Sequence, residues 1–313
     1  MPKEARNPKS GPASLDRRTF LQTALGAVAA GSVVGCATSD SGRSTSLERQ
    51  LGVTTGSFTR NLTVERQPGK LRLLDLPAIM RDELDMRVID LMTATLASME
   101  PRYLDELRTA AERHGCVLTN LKMNNPGLDL ASADESVRQH ALTEYKRTMD
   151  AAARLGVRWV RPLPGPKRPD LARLATGYRE LMDYGASRGL TLLVENFGWM
   201  QDDPDAIPAL IKAVGPGLRS QPDTRNWTDR ARYDGLAKAF PFAASCDFKP
   251  FALEPDGAHK AYDLKRCFQI GWDADFRGPW CFEHFHTDLQ QLFKEMAMLR
   301  DLLRAWMRAA KKP

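Results

Sequence analysis

The chain has 313 residues and a mass of 35.0 kDa, which suits one large α/β domain or two small ones. Hydrophobic residues make up 42% and charged residues 27%, and these ordinary globular values exclude a disordered or collagen-like chain. No apolar run approaches the roughly 20 residues that a membrane-spanning helix needs. The net charge is +6, but residues 1–35 hold five basic and two acidic side chains, and no basic cluster typical of nucleic-acid binding follows them.

The first 35 residues have the features of an export signal. Arg17 and Arg18 form a twin-arginine pair before Thr-Phe-Leu, and a weakly apolar segment rich in Ala and Gly follows. That segment ends at Val-Val-Gly-Cys36, which resembles a lipoprotein processing box. Residues 1–35 are therefore predicted to be a cleaved twin-arginine lipoprotein signal, and Cys36 is predicted to carry the lipid. The alternative is an amphipathic N-terminal helix with an incidental cysteine.

Residues 36–50 follow the predicted signal and are rich in Ser and Thr, which predicts a flexible tether. The signal and the tether together predict an exported protein of the periplasm or cell surface. Its membrane attachment would then be the N-terminal lipid anchor alone.

From Leu51 onward, short apolar or β-branched runs alternate with segments whose apolar residues recur every three or four positions. Helical patterns of this kind cover Glu135–Leu155 and Asp170–Arg188. The runs predicted as strands are Leu51–Thr54, Arg87–Leu91, Cys116–Leu121, Trp159–Leu163, Thr191–Glu195, Leu218–Pro222, Ala243–Phe248 and Trp280–Glu283. Eight strand–helix units in about 250 residues predict a single (β/α)₈ TIM barrel over residues 51–310. A doubly wound open sheet is the second architecture, although no GxGxxG follows the first strand.

Acidic residues stand at or near the ends of the last four predicted strands: Glu195, Asp223, Asp247 and Glu283. Their separations of 28, 24 and 36 residues are each close to one strand–helix unit. Because the carboxyl ends of the strands form one mouth of a TIM barrel, we expect the four carboxylates to converge there. A bound divalent cation would remove their mutual repulsion. The alternative is a structural ion network in which the acids pair with Lys249, Arg161 and Arg225.

Four segments in the second half of the chain carry further motifs. They are Leu-Leu-Val-Glu-Asn at 192–196 within 179–200, Asp-Thr-Arg-Asn at 223–226, Asp-Phe-Lys at 247–249, and 278–283, which runs from Gly to Glu. In that order they resemble the fifth unit, the sixth-strand Asp-x-x-His/Asn, the seventh-strand His-x-Lys and the terminal Gly-x-x-x-x-Glu of the xylose isomerase-like TIM barrels. That group includes sugar phosphate isomerases/epimerases and ketose 3-epimerases, and the resemblance covers the chain after Leu51.

The resemblance implies that Glu195, Asp223 and Glu283 are metal ligands, whereas Asp247 stands where the family usually has histidine. A set of two Glu and two Asp favours Mg²⁺ or Mn²⁺, with Co²⁺ or Zn²⁺ as alternatives. The departure at Asp247 also leaves open a metal-free or altered site. The resemblance further implies isomerisation or epimerisation through an enediolate, in which Glu195 and Glu283 remove and return a proton.

Other residues near the predicted mouth are candidates for substrate binding: Arg161, Trp199, Asn226, Trp227, Lys249, His284 and His286. The polar groups among them suit hydroxyl or carbonyl oxygens, and an indole face suits the C–H face of a sugar. The alternative for the two tryptophans is that they only close the barrel mouth. The expected partner is a small neutral sugar or keto-sugar, because no glycine-rich phosphate cradle is evident.

Three other functions fit parts of the pattern. The chain would be a lyase if proton removal from a keto-glycoside led to elimination. It would be an anchored sugar-binding lipoprotein if catalysis had been lost. An apurinic endonuclease is disfavoured, because those sites are rich in histidine and the chain has five histidines in all. The sequence leaves the oligomeric state open.

Overall fold

Strands and helices alternate through the part of the chain that the computed structural model describes, residues 46–165, 167–250, 253–254 and 258–310. The strands are β1 (Leu51–Thr54), β2 (Val88–Met92), β3 (Val117–Met123), β4 (Trp159–Pro162), β5 (Thr191–Val194), β6 (Arg219–Ser220), β7 (Cys246–Phe248) and β8 (Trp280–Phe282). The α-helices are α1 (Leu76–Asp82), α2 (Pro101–Arg113), α3 (Glu135–Leu155), α4 (Leu171–Ala186), α5 (Ala206–Val214), α6 (Arg232–Ala239), α7 (Leu264–Asp273) and α8 (Leu289–Ala310). The predicted signal, Cys36 and the tether up to residue 45 lie outside the described residues.

The helix boundaries follow from capping groups that the sequence supplies. Asp134 precedes α3, and its Oδ1 accepts a hydrogen bond of 2.8 Å from the backbone N–H of Ser136. Gly156 ends the same helix in the left-handed region, with φ of 73°, which a glycine adopts without the penalty of a Cβ. The Asp170 side chain caps α4 by accepting from the N–H of Arg173. Acidic caps and a terminal glycine thus set the bounds of these two long helices.

All eight strands are parallel and lie in the order β6-β5-β4-β3-β2-β1-β8-β7. The first strand pairs with both β2 and β8, as closure of a barrel requires. The remaining gap, between β6 and β7, is crossed by isolated bridges from Ser220 to Ala243 and from Asp223 to Asp247. This arrangement is an eight-stranded parallel α/β sheet consistent with the predicted TIM barrel, and each predicted strand overlaps an observed one.

The β6–β7 seam is therefore short, and it carries two of the predicted site residues. The backbone N–H of Asp247 donates to the carbonyl oxygen of Pro222, and the N–H of Thr224 donates to the carbonyl oxygen of Asp247, both at 2.9 Å. At the other end of the seam the N–H of Ala244 donates to Ser220. These bonds place the Asp223 and Asp247 side chains next to each other on neighbouring strand ends.

Apolar side chains of the strands and helices form the main core, and polar side chains are also buried inside the sheet. The buried polar residues on or next to the strand ends include Thr54, Asp90, Asn120, Lys122, Gln221, Glu195, Asp223, Asp247 and Glu283. Because polar groups are buried at a cost unless they are paired, this set indicates a built site rather than ordinary core. Of the helices in the described ranges, none is long and apolar enough to cross a membrane.

Candidate active site

Three carboxylates meet at the carboxyl ends of neighbouring strands. Glu195 directly follows β5, Asp223 follows β6, and Asp247 lies within β7. One oxygen of each lies within 4.8 Å of the corresponding oxygens of the other two, and all three residues are buried. This spacing brings oxygen ligands close enough to share one cation.

The backbone around Asp223 fixes its carboxylate. Oδ1 accepts from the backbone N–H groups of Arg225, at 2.7 Å, and Asn226, at 3.0 Å. Asn196, next to Glu195, binds the Asp223 main chain on both sides: its Oδ1 accepts from the N–H at 2.7 Å, and its Nδ2 donates to the carbonyl oxygen at 3.0 Å. Because Oδ1 is held in this turn, Oδ2 is the oxygen aimed at other groups, and it lies 3.2 Å from Nζ of Lys249.

Asp247 is bound on one oxygen and free on the other. Its Oδ1 lies 2.6 Å from Nζ of Lys122, and it also accepts from Nε2 of Gln221 at 3.2 Å. Its Oδ2 is buried and has no hydrogen-bond partner among the residues that the structure describes. A buried carboxylate oxygen without a partner is costly, so this atom marks a position for a bound group.

Glu195 likewise has one oxygen with a hydrogen bond and one without. Its Oε1 accepts from Nδ2 of Asn226 at 2.6 Å. Its Oε2 lies 2.8 Å from Nη2 of Arg161 but makes no hydrogen bond of good geometry. Glu195 therefore also keeps an oxygen that a cation or a substrate proton would satisfy.

Glu283, the fourth predicted acid, directly follows β8 but is not in the set of mutually close ligand atoms found among the described residues. Its Oε1 lies 2.8 Å from Nζ of Lys249, and its Oε2 lies 3.5 Å from Nζ of Lys122. Lysines thus contact both carboxylate oxygens. The sequence suggested either a metal site or a structural ion network for the four acids. The structure has features of both, because three carboxylates converge and the lysines also form ion pairs with the acids.

Burial and charge act in opposite directions on these groups. Burial raises the pKa of Asp223 to about 6 although Lys249 opposes the shift, and burial raises the pKa of Asp247 well above its ordinary value against the effect of Lys122. Burial would also raise the pKa of Glu283, but the charges of Lys249 and Lys122 hold it below the usual value. Two of the three clustered carboxyls therefore resist ionisation unless a further cation is present.

The residues present fit a hard divalent ion. Every donor in the three-carboxylate set is oxygen; Asp247 Oδ2 has no hydrogen-bond partner among the described residues, and Glu195 Oε2 has an ion pair with Arg161 but no hydrogen bond. Among the buried and half-buried side chains of this network, carboxylates outnumber cationic groups by two when all are ionised. The carboxylates are Asp90, Glu195, Asp223, Asp247 and Glu283, and the cationic groups are Lys122, Arg161 and Lys249. A bound divalent cation would balance that excess.

The predicted substrate residues divide into two groups. Arg161, Asn226 and Lys249 lie in the cluster through the contacts given above. Trp199 is half-buried, and the guanidinium of Arg168 lies 4.9 Å from its ring centre, so this indole remains a candidate.

The other three predicted substrate residues make contacts elsewhere in the structure. Trp227 is only 1% exposed and belongs to the hydrophobic core, packed so closely on α6 that a Cβ added at Gly235 would lie 2.7 Å from its ring. Its ring faces are therefore not open to a sugar. His284 is also buried, and its ring contacts the carbonyl oxygen of Pro250 at 2.8 Å and the carboxylate of Glu295, which joins the loop to α8. His286 accepts from the N–H of Asp288 at 2.9 Å before α8, which is a local turn contact.

Sequence reasoning missed Lys122 and the polar layer beneath the carboxylates. Gln221 Nε2 donates to Asp90 Oδ2 at 2.9 Å, and its Oε1 accepts from Asn120 Nδ2 at 2.8 Å. The hydroxyl of Thr119 donates to the other oxygen of Asp90. The one available signal was a lysine near the end of the predicted strand region, in Val-Leu-Thr-Asn-Leu-Lys-Met, where a buried charge needs a partner.

Comparison with known proteins assigns the chain to a family. Residues 82–309 match the family model of the xylose isomerase-like TIM barrel, and the chain belongs to this family. None of the curated proteins matches its sequence at a significant level.

Solved structures of the same fold are similar over almost their whole length. D-psicose 3-epimerase from Clostridium cellulolyticum H10, solved with D-tagatose, has a TM-score of 0.66 at 13% identity, covering 82% of this chain and 99% of that one. 3-Keto-D-glucoside 4-epimerase from E. coli has a TM-score of 0.63 at 13% identity, covering 81% of this chain and 100% of that one. A xylose isomerase-like TIM barrel protein from Mycobacterium smegmatis, solved in complex with magnesium, has a TM-score of 0.58 at 16% identity. The match covers 83% of this chain and 98% of that one. At these identities the similarity shows the fold.

Proposed function

We propose that the protein is a divalent-metal-dependent isomerase or epimerase of a neutral sugar or keto-sugar. One observation carries the proposal: three buried carboxylates converge at the barrel mouth, beside a fourth whose ionised form is held by two lysines. Membership of the family and the two epimerases of the same fold support the reaction class. The magnesium complex of the third neighbour supports a hard ion, for which Mg²⁺ and Mn²⁺ are the candidates.

The residues that would hold the ion are Glu195, Asp223 and Asp247. When bound there, a divalent cation would supply Lewis-acid polarisation of the carbonyl group of the sugar. Glu195 and Glu283 would transfer the proton at the adjacent carbon, one as base and the other as acid, through an enediolate of the sugar. Glu283 suits the base role because Lys122 and Lys249 keep it ionised.

Three side chains would orient the substrate. Asn226 and Arg161 both contact Glu195, so a hydroxyl or carbonyl oxygen held by either would lie next to a proton-transferring carboxylate. Lys249 reaches both Asp223 and Glu283 and would orient an oxygen between them. The half-buried Trp199 would offer its ring to the C–H face of the sugar.

The twin-arginine pair and Cys36 support a further part of the proposal, that the enzyme works outside the cytoplasm on a lipid anchor. A neutral sugar is the substrate class that this location favours. Fractionation of the native host into soluble and membrane fractions tests the location.

The reaction is tested by hydrogen exchange. The purified protein is loaded with Mg²⁺ or Mn²⁺ and incubated in D₂O with ketoses and 3-keto-glycosides, and C–H exchange is followed by NMR. We expect the true substrate to exchange one proton, and Glu195→Gln and Glu283→Gln to slow that exchange by about 10²–10⁴-fold, the usual contribution of a general base.

Glu180→Gln is the matched control, because Glu180 pairs with Lys146 at 2.7 Å away from the barrel mouth and is predicted to leave exchange unchanged. Full exchange in both active-site variants would overturn the proposal. Sugar binding without metal or exchange would instead show a binding lipoprotein, and release of the aglycone from a 3-keto-glycoside would show a lyase.

A further inference from the structure

Gln221 directly follows β6, and its side chain reaches β2 and β3 on the other side of the barrel as well as the neighbouring β7. Its Nε2 donates to Oδ2 of Asp90 at 2.9 Å and to Oδ1 of Asp247 at 3.2 Å. Its Oε1 accepts from Nδ2 of Asn120 at 2.8 Å. All four residues are fully buried, so this amide links three strands beneath the candidate site.

The partners of Gln221 determine the orientation of its amide. A primary amide has two N–H donors and one carbonyl acceptor. Nε2 gives one N–H to each of the carboxylates of Asp90 and Asp247, while Oε1 faces the N–H group of Asn120. The reversed amide would turn its oxygen towards both carboxylates, which have no proton to donate when they are ionised. The backbone N–H of Gln221 also donates to the carbonyl oxygen of Val194 at 2.8 Å, so main chain and side chain are both held.

Asp90 is itself held on both oxygens. The hydroxyl of Thr119 donates to its Oδ1, and Gln221 donates to its Oδ2. Asp90 lies in β2, whereas Thr119 and Asn120 lie in β3, and these two strands pair over five residue pairs. The amide of Gln221 is therefore anchored to an extensively paired part of the sheet.

This anchored amide acts on the carboxylate of Asp247. A carboxylate binds a cation through one oxygen or through both. Lys122 also contacts Oδ1 of Asp247, at 2.6 Å, but an ammonium on a flexible stem can follow the carboxylate when it rotates. The amide of Gln221 cannot follow it, because Asp90 and Asn120 hold its other two hydrogen bonds. Oδ2 of Asp247 has no hydrogen-bond partner in the described part of the chain, and it is the oxygen left for a cation.

We propose that Gln221 is a positioning residue that fixes Oδ1 of Asp247 and so presents Oδ2 alone to the metal. The inference rests on the proposed function, and it adds a residue that acts on the metal through Asp247. Lys122 supplies a charge to the same carboxylate, whereas Gln221 supplies its direction. Asn120 and Asp90 then serve the site by holding Gln221.

The first test is Mn²⁺ affinity, measured by the electron paramagnetic resonance signal of free Mn²⁺ during titration of the purified protein. Gln221→Met keeps the length of the side chain and removes the amide. We expect it to weaken Mn²⁺ binding by about tenfold, as is usual when a group that orients a metal ligand is lost. Unchanged affinity would overturn the inference.

Gln269→Met is the matched control. It removes an amide that donates to Asp273 at 2.7 Å on the exposed surface of α7. This variant loses the same kind of hydrogen bond to a carboxylate, but it should leave the Mn²⁺ affinity unchanged. A loss as large as that in Gln221→Met would contradict a role specific to Gln221.

The second test is a double-mutant cycle with Asp247→Ala. Once the carboxylate is gone, the amide has no ligand to orient, so Gln221→Met should change the Mn²⁺ affinity of Asp247→Ala by less than about twofold. A general disturbance of the barrel predicts the same loss in both backgrounds. Equal losses would therefore contradict the inference.

Asn120→Leu decides the question if Gln221→Met does not fold. It leaves the amide in place but removes the donor to Oε1. We expect Mn²⁺ binding to weaken by about two- to fivefold, and no further loss in the Asp247→Ala background. Unchanged affinity in Asn120→Leu, or the same loss with and without Asp247, would refute the inference.

The two proposals fail separately. Coupling between Gln221 and Asp247 in the Mn²⁺ titrations, with no proton exchange by the wild type, would overturn the function and leave the positioning role intact. Exchange by the wild type without such coupling would do the reverse. A wild type that binds no Mn²⁺ would overturn both.

Discussion

The carboxyl of Asp223 is fully buried, yet metal binding requires it to be ionised. Its pKa of about 6 in the folded protein lies above the ordinary value of 3.8, because burial disfavours the charge. Between these two pH values the folded state holds a proton that the unfolded state has lost. The free energy of unfolding therefore falls as the pH rises from about 4 to about 6, and the penalty remains at higher pH.

We predict that Asp223→Asn stabilises the metal-free protein at pH 7. The amide cannot ionise, and its oxygen can still accept from the backbone N–H groups of Arg225 and Asn226. The gain should be about 1–3 kcal/mol at pH 7 and close to zero at pH 4, where Asp223 is protonated in the wild type. Urea unfolding with a chelator at both pH values measures the difference.

Asp105→Asn is the control, because the pKa of the Asp105 carboxyl is shifted in the opposite direction: Arg154 lowers it. It should give no gain at pH 7. A wild-type protein that is more stable than Asp223→Asn at pH 7 in chelator would show that the ion pair with Lys249 outweighs the burial of the charge.

The four acids could be predicted because each lies at or soon after the end of a strand, and strand ends share one rim of a barrel. Lys122 could not be predicted in the same way, because its partner Asp247 lies 125 residues further along the chain. The pairing depends on which strands face each other across the barrel. The burial of Trp227 and His284 could not be predicted either, because residue type does not tell which way a loop side chain points.

At the scale of single elements, hydrophobic periodicity located two long helices well. The pattern predicted Glu135–Leu155 with the observed bounds, and Asp170 proved to be the cap of α4. The short β6 is the weakest match, because only Arg219 and Ser220 satisfy the strand pattern within the predicted Leu218–Pro222. Pro222 has no N–H to donate, which limits that strand.

The contact between α6 and Trp227 supplies a prediction at this scale. In a helix, alanine is favoured over glycine by about 1 kcal/mol, so propensity alone predicts that Gly235→Ala is stabilising. A Cβ at Gly235 would instead lie 2.7 Å from three ring atoms of the buried Trp227. We expect the collision to dominate and to lower the free energy of unfolding by about 1–3 kcal/mol.

Chemical denaturation of Gly235→Ala measures this loss. Ala237→Gly, at an exposed position of the same helix, gives the propensity contribution separately. Adding Trp227→Phe should recover part of the stability of Gly235→Ala, because the smaller ring leaves room for the methyl group. A stabilised Gly235→Ala would mean that the indole is free to move, and the reassignment of Trp227 to the core would then be wrong.

At the scale of the whole molecule, the barrel is closed unevenly. β2 and β3 pair over five residue pairs, whereas β6 and β7 are joined only by two bridges and a few backbone hydrogen bonds. The candidate ligands Asp223 and Asp247 stand on opposite sides of that weak seam. A shared cation would therefore cross-link the two strands at the point where the sheet opens most easily.

We predict that metal binding protects this seam more than the rest of the barrel. In hydrogen–deuterium exchange, the backbone amides of Thr224 and Asp247 should exchange faster than those of β3 without metal, and at least tenfold more slowly once Mg²⁺ or Mn²⁺ is added. The amides of β3 should change less, because their opening does not separate the ligands. Asp223→Asn should abolish the protection, since it removes the ligand from one side of the seam. Equal slowing throughout the barrel would indicate general stabilisation by ligand binding and would refute a cation bridge across β6 and β7.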